Sequence, residues 1–157
     1  PMDMLGPEII ASNKLQIIPG AGLDLFALLT SAMHMGWMRT VAGRLESRYS
    51  YSPTVYNSFP WPALDEKAII ALAQSGQSIL DARARFPNET LERLYDPDTM
   101  PVELRQAHQQ NDRLVDRLYS KMKFDSEHAR VKHLFGLYEI SASPLEAAAT
   151  AKAKRKS

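Results

Sequence analysis

Glu46, Arg48 and Ser50 alternate within Gly43-Arg44-Leu45-Glu46-Ser47-Arg48-Tyr49-Ser50-Tyr51-Ser52, the stretch of the sequence richest in groups that could do chemistry. If residues 46–50 are extended, these three side chains project on one face, about 6–7 Å between alternate residues. An acid and an arginine so placed can read one C·G pair of duplex DNA. The carboxylate accepts from cytosine N4 while the guanidinium donates to guanine O6 and N7. Lys14 and Asn13, at a polar Ser12-Asn13-Lys14 corner, carry base-edge chemistry of the same kind. Arg39 and Arg44 flank the reading edge and suit phosphate, a contact that positions a protein on DNA without specifying sequence. The same spacing also suits a surface ion pair between Glu46 and Arg48 beside a tyrosine-rich strand, so local pattern leaves both readings open.

Other chemistry is missing. The sequence has no cysteine, which excludes disulfides, thiolate catalysis and cysteine zinc sites and fits a cytosolic protein. It has no Gly-rich phosphate loop, no G-x-S-x-G elbow and no H-E-x-x-H. His34, His108, His128 and His133 do not cluster as metal ligands and read as ordinary surface or interfacial side chains. Asp81, Asp112 and Asp116 each have an arginine nearby, the pattern of solvated ion pairs. No catalytic residue and no metal ligand is expected in this stretch.

Bulk properties add limits. The 157 residues are 45% hydrophobic and 24% charged, enough for one domain or two small units sharing a core. No window approaches about 18 uncharged apolar residues, so no membrane span is expected. Pro1-Met2-Asp3-Met4 lacks the basic and apolar regions of a signal peptide, and a proline in first place suggests a fragment. The net charge is +1, and four of the bases (Lys152, Lys154, Arg155 and Lys156) sit in the last six residues. Any affinity for nucleic acid must therefore come from local placement of charge.

The elements that would position the reading edge divide at Phe59-Pro60-Trp61-Pro62, which denies helix and fixes an extended connection. Before it, Ile9-Ile10 and Leu15-Gln16-Ile17-Ile18 read as two short strands, and Pro19-Gly20-Ala21-Gly22 as a breaker. Leu25, Leu28 or Leu29, Met33, Trp37 and Val41 then recur at helical steps and predict one helix of about 20 residues. Arg48 to Tyr56 reads as strand, loop, strand, with Trp37, Met33 and Met38 packing the helix against it. After the division, Asp65 caps a helix fading near Phe86-Pro87, Asn88 caps a short one, and Pro101 suits a first helical position. Leu104, Ala107, Asn111, Val115, Leu118 and Met122 mark one face of a helix of about 20 residues. Asp125 or Ser126 opens a last helix, and from Ser141 the Ala/Lys-rich tail has no face to bury and reads as mobile. The fold class is mainly α (α+β): short strands and one long helix, then three to four helices.

Several of these segments resemble a known family. They are Met33-His34-Met35-Gly36-Trp37-Met38-Arg39, Gly43-Arg44-Leu45, Tyr49-Ser50-Tyr51-Ser52 and Val55-Tyr56-Asn57-Ser58-Phe59-Pro60-Trp61-Pro62. Further on come Leu80-Asp81-Ala82-Arg83, Leu94-Tyr95-Asp96-Pro97-Asp98-Thr99-Met100-Pro101, Leu104-Arg105-Gln106-Ala107-His108 and Asp116-Arg117-Leu118-Tyr119. Together they are similar to the end of the target-recognition domain and the C-terminal helical domain of MmeI-like single-chain adenine-specific DNA methyltransferases. The likeness runs from about residue 5 to residue 140.

The resemblance implies three regions: residues 1–62 ending a recognition domain, 63–143 a helical C-terminal domain, and 144–157 a mobile basic tail. It implies that side chains at Glu46 and Arg48 select one base pair, and that Lys14 and Ser50, with Asn13 beside them, help select another. Double-stranded DNA and an upstream methyltransferase domain of the same chain are the implied partners, with no membrane, in a bacterial or phage-host cytoplasm. S-adenosylmethionine is implied for the parent enzyme and no cofactor for this stretch, because the glycine-rich cofactor strand and the Asn-Pro-Pro-Tyr-type loop have no counterpart here. The competing reading is a noncatalytic helical module for protein interaction.

Overall fold

Ser31 breaks what the periodicity reads as one long helix. In the computed structural model, α1 (Leu23–Thr30) ends and α2 (Ala32–Val41) begins on either side of it, with Ser31 extended at φ −70° and ψ 154°. Its hydroxyl donates to the Leu28 carbonyl at 2.6 Å and accepts the His34 N–H at 3.2 Å. One serine thus serves the end of the first helix and the start of the second, which is why the apolar spacing continues through a break it does not reveal. The structure describes residues 1–12, 15–45 and 48–154, with 44, 45, 48 and 142–154 described by backbone only.

The order of elements is α1, α2, β1 (Gly43–Leu45), β2 (Arg48–Ser50), α3 (Pro53–Ser58), α4 (Glu66–Ala84), α5 (Leu91–Leu94), α6 (Val102–Tyr119) and α7 (Glu127–Lys154). The mainly helical class holds, with four helices after Pro62. The expected strands at Ile9-Ile10 and Leu15–Ile18 do not form. Turns closed by Ile9 N–H to Gly6 O and Ala21 N–H to Ile18 O take their place, and the Leu15 N–H donates to the Ser12 carbonyl. A strand needs a ladder, and among the described residues the single ladder is β1 with β2.

Arg48 to Tyr56 is also corrected. Its first part is β2, but Pro53 opens helix α3, whose first position suits a residue with no N–H to donate. The Ser52 carbonyl accepts from Val55 at 3.0 Å. Asp65 caps α4 as its type and place predict, accepting the Ala68 N–H at 2.7 Å. Thr90, not Asn88, caps α5, accepting from Arg93, and Pro101 stands one residue before the first helical position of α6. Ser126 accepts from Ala129 at the start of α7, and α7 continues as helix through the stretch read as a tail. Alanine-rich sequence favours that backbone by its intrinsic helix propensity.

The chain forms two compact units, Pro1–Met35 with Pro62–Lys123, and Gly36–Trp61 with Phe124–Ser157. Each draws on both sides of Pro62. In the first, α1 lies along α4 and α4 along α6. Phe26, Ile79, Ala82, Leu94 and Leu104 form its core cluster, with Met2, Met4, Tyr95 and Met100 among the side chains packed on it. Gly76 permits the close approach of α1 to α4, since a Cβ there would collide with the Leu23 carbonyl oxygen. Buried Asn111 of α6 donates to the Ala27 carbonyl at 2.8 Å and accepts from Ser75 at 2.9 Å, tying α6 to both other helices.

Trp37 centres the second unit. It is 1% exposed, and its indole N–H donates to Ser58 at 3.3 Å. Its ring meets Phe59, Phe135 and Tyr138 at centroid distances of 6.5, 5.1 and 5.6 Å. Its partners are therefore α3 and α7 and not a tyrosine-rich sheet, because Pro53 turns that stretch into helix. Trp61 packs edge-on against Phe59 at 5.0 Å, so the aromatic-proline run folds back on this cluster.

Candidate nucleic-acid interface

Of the reading edge expected from the sequence, Arg48 and Ser50 belong to a β-strand. β1 and β2 are antiparallel, with Gly43 opposite Ser50, Arg44 opposite Tyr49 and Leu45 opposite Arg48. Arg48 and Ser50 hold alternate positions of β2. Ser50 is exposed and Tyr49 is 40% exposed. Glu46, Asn13 and Lys14 lie outside the described residues. Arg44 is placed by its backbone alone, opposite Tyr49. Arg39 lies near the C-terminal end of α2, and its Nη1 is 2.5 Å from Glu127 Oε2 of α7, with both side chains largely exposed.

The histidines and aspartates are corrected in part. His34 is fully buried, and its Nδ1 donates to the Leu29 carbonyl at 2.9 Å. Burial lowers its pKa to about 4, so it is neutral at pH 7. Asp112 accepts the Ala32 N–H at 2.7 Å, and Asp116 is buried at 8% exposure. Asp116 is thus withdrawn from solvent, and Asp112 serves a helix end, beyond what helical spacing suggests. A chain that breaks at Ser31 leaves N–H groups of α2 to be satisfied, and Asp112 of α6 is placed to do so.

Sequence reasoning missed a polar network around Arg83. Its Nε donates to the Tyr95 hydroxyl at 2.8 Å, and its Nη2 reaches the same oxygen. Nη1 donates to the Met2 carbonyl at 2.9 Å and lies 3.2 Å from Asp3 Oδ1. The Tyr95 hydroxyl, already accepting from a cation, donates its own proton to His108 Nε2 at 2.6 Å. That requires a neutral His108. Burial first, and the Arg83 charge second, lower its pKa to about 4. Burial raises the Tyr95 pKa, and the guanidinium opposes it. Every group here is matched with the charge state its neighbours need, an arrangement for holding structure. Among the described residues no set of His, Asp and Glu side chains is placed to hold a metal ion. No helix there is long and apolar enough to cross a membrane.

Comparison with known proteins assigns the chain in two consecutive pieces. Residues 1–63 match the target recognition domain of MmeI, and residues 64–146 match the C-terminal domain of MmeI. The chain belongs to the MmeI family. It is 39% identical over 140 residues to DNA methyltransferase A of Bacillus subtilis (strain 168), a match covering 88% of this chain and 16% of that protein. A solved structure of the type IIL restriction–modification enzyme MmeI in complex with DNA is 49% identical. It superposes with a TM-score of 0.77 over 80% of this chain and 17% of its own. The chain therefore spans only 16% and 17% of these two relatives. Within this MmeI-family chain, Arg83, Tyr95 and His108 come from three separate segments that carry the resemblance. The fold brings them into one network.

Proposed function

We propose that this chain is the DNA-recognition and C-terminal helical part of an S-adenosylmethionine-dependent adenine-N6 DNA methyltransferase of a restriction–modification or related phage-defence system. The parent enzyme acts in the bacterial cytoplasm, with or without a fused endonuclease. Residues 1–62 close the recognition domain, 63–143 form the helical domain, and 144–157 are a basic tail. The observation that carries this reading is the unbroken succession of the two family matches along the chain. The β-ribbon supports it by holding Arg48 and Ser50 at alternate positions of one strand.

In this reading Glu46 accepts from cytosine N4 and Arg48 donates to guanine O6 and N7 of one C·G pair. Lys14, Ser50 and Asn13 read a second pair, and Arg39 and Arg44 contact phosphate. S-adenosylmethionine supplies the methyl group in the upstream domain of the same chain, where the target adenine is extruded from the duplex. This stretch holds the duplex in register for that event.

The test is made in the full-length parent protein by mapping N6-methyladenine in cells, with and without Glu46→Lys plus Arg48→Asp. The swap exchanges donor and acceptor, so C·G is expected to become G·C at one position of the methylated motif and nowhere else. A motif unchanged by the swap overturns the roles of Glu46 and Arg48 while leaving the enzyme. Absence of adenine methylation with the unaltered parent overturns the whole reading.

A further inference from the structure

Both roots of the β-ribbon lead to one buried side chain of the second unit. On one side, α2 runs into β1 with a single residue between them, Ala42, whose N–H still donates to the Met38 carbonyl at 2.9 Å. On the other, β2 ends at Ser50, and the Ser52 carbonyl accepts the Val55 N–H as α3 begins. Trp37 joins the two helices. Its indole N–H donates to Ser58 Oγ at 3.3 Å, and that hydroxyl donates its own proton to the Val55 carbonyl at 3.2 Å. The Trp37 ring centroid lies 6.5 Å from that of Phe59, the residue that ends α3.

Helix α7 completes the arrangement. Phe135 and Tyr138 meet the Trp37 ring at 5.1 and 5.6 Å. Gly36, next to Trp37, allows the close approach of α2 to α7, since a Cβ there would stand 3.2 Å from Glu127 Cγ and 3.3 Å from Val131 Cγ2. Trp37, Val55 and Phe59 are all buried. The ribbon they support is small, two strands of three residues paired at three positions. A two-stranded ribbon is marginally stable by itself in water. Its direction is therefore set by the elements in which it is rooted, and those are α2 and α3.

We propose that Trp37, with Ser58, is a positioning residue for base discrimination: by locking α2 to α3 it fixes both roots of the β-ribbon, and so the placement of β2, the strand whose backbone carries Arg48 and Ser50. The proposal rests on the reading of Arg48 given above. Trp37 touches no DNA in this account and acts only through the backbone of the ribbon. Tryptophan suits the task because it holds α3 in two ways, by its N–H on Ser58 and by its ring on Phe59, whereas phenylalanine keeps a ring and loses the donor.

The test uses the full-length parent enzyme with Trp37→Phe, which removes the donor, with Ser58→Ala, which removes the acceptor and leaves the Trp37 ring in place, and with both together. Arg48→Ala is measured beside them. Hydrogen exchange is expected to accelerate in β1 and β2 and to stay unchanged in α6. Discrimination at the base pair assigned to Arg48 is expected to fall roughly tenfold, as loss of a positioned base contact would produce. The double variant is expected to fall no further than the weaker of the two single ones, because both remove the same hydrogen bond. Discrimination at positions of the motif that the ribbon does not read is expected to hold. Unchanged exchange in β1 and β2 in both single variants overturns the locking of the roots. Faster exchange with an intact motif, where Arg48→Ala does alter the motif, overturns the positioning role, as does an equal fall in methylation at every site. If Arg48→Ala leaves the motif intact, the reading of Arg48 fails and takes the positioning role with it, whatever the exchange shows.

Discussion

Asp112 Oδ1 accepts the backbone N–H of Ala32 at 2.7 Å, so α2 takes part of its N-terminal cap from a helix eighty residues further along the chain. Ser31 supplies the other part, accepting from His34 at 3.2 Å. The division follows from geometry: one hydroxyl satisfies one N–H, and the first turn of a helix leaves several orphaned. A carboxylate here also faces the positive end of the helix dipole.

Asp112→Ala is expected to lower the unfolding free energy by about 1–2 kcal/mol, as removal of a helix cap does, and Asp112→Asn by less, because an amide oxygen still accepts. Urea denaturation followed by helical circular dichroism measures both. Equal effects of the two substitutions would show that charge, and not the hydrogen bond, is what Asp112 contributes.

Gly76 offers a test in which helix propensity and packing oppose each other. Alanine at an exposed site of α4 would stabilise it by about 1 kcal/mol over glycine. At position 76 the added Cβ meets backbone, the Leu23 carbonyl, which cannot swing aside as a side-chain end would. Gly76→Ala is therefore expected to destabilise by about 1–3 kcal/mol, the usual cost of overpacking. A rise in denaturation midpoint would mean that α1 can move away from α4 at no cost.

The neutral histidines set a pH dependence. His34 and His108 each have a pKa lowered from 6.5 to about 4 in the folded chain, mainly by burial. The unfolded chain takes up these protons near the ordinary value, so between 6.5 and about 4 it binds more protons than the folded chain. Their contribution to stability is then full above that window and disappears as pH falls through it. The thermal midpoint is expected to drop between pH 7 and pH 5, the steeper part lying below the unfolded value. His108→Gln keeps an acceptor for the Tyr95 hydroxyl but cannot titrate, so its midpoint is expected to fall less over the same range. A variant as pH-sensitive as the parent would remove His108 from this account.

How much of this is legible in the sequence depends on the range of the interaction. Asp65 capping α4 and the helical face of Leu104, Asn111 and Val115 are set by neighbours a turn or two away, and spacing reveals them. Pro53 is equally visible, yet its surroundings of tyrosine and serine suggest an interrupted strand, whereas its fixed φ makes it an opener of helix. The break at Ser31 is hidden because both helices keep one apolar rhythm, and the cap that permits it comes from Asp112 on α6. Arg83, Tyr95 and His108 stand in segments that carry the family resemblance, but their convergence is a property of tertiary packing. The segments Ile9-Ile10 and Leu15–Ile18 have the composition of strands and no partner to ladder with among the described residues.

Arg39 and Glu127 bear on DNA binding through competition. Their side chains are 42% and 50% exposed, so the ion pair contributes no more than about 1 kcal/mol to stability and Glu127→Gln is expected to leave the denaturation midpoint nearly unchanged. Its consequence is electrostatic. A carboxylate on the guanidinium opposes the phosphate contact proposed for Arg39, and an amide does not. In the parent enzyme, Glu127→Gln is then expected to strengthen DNA binding by a similar factor on every sequence and to leave the methylated motif as it is, since phosphate contacts carry no base information. Arg39→Gln is expected to weaken binding and to flatten the dependence of log affinity on log salt by about one unit, the signature of one neutralised phosphate fewer. Titrating binding against salt for both variants separates the possibilities: if neither alters affinity or slope, Arg39 serves only to tie α2 to α7.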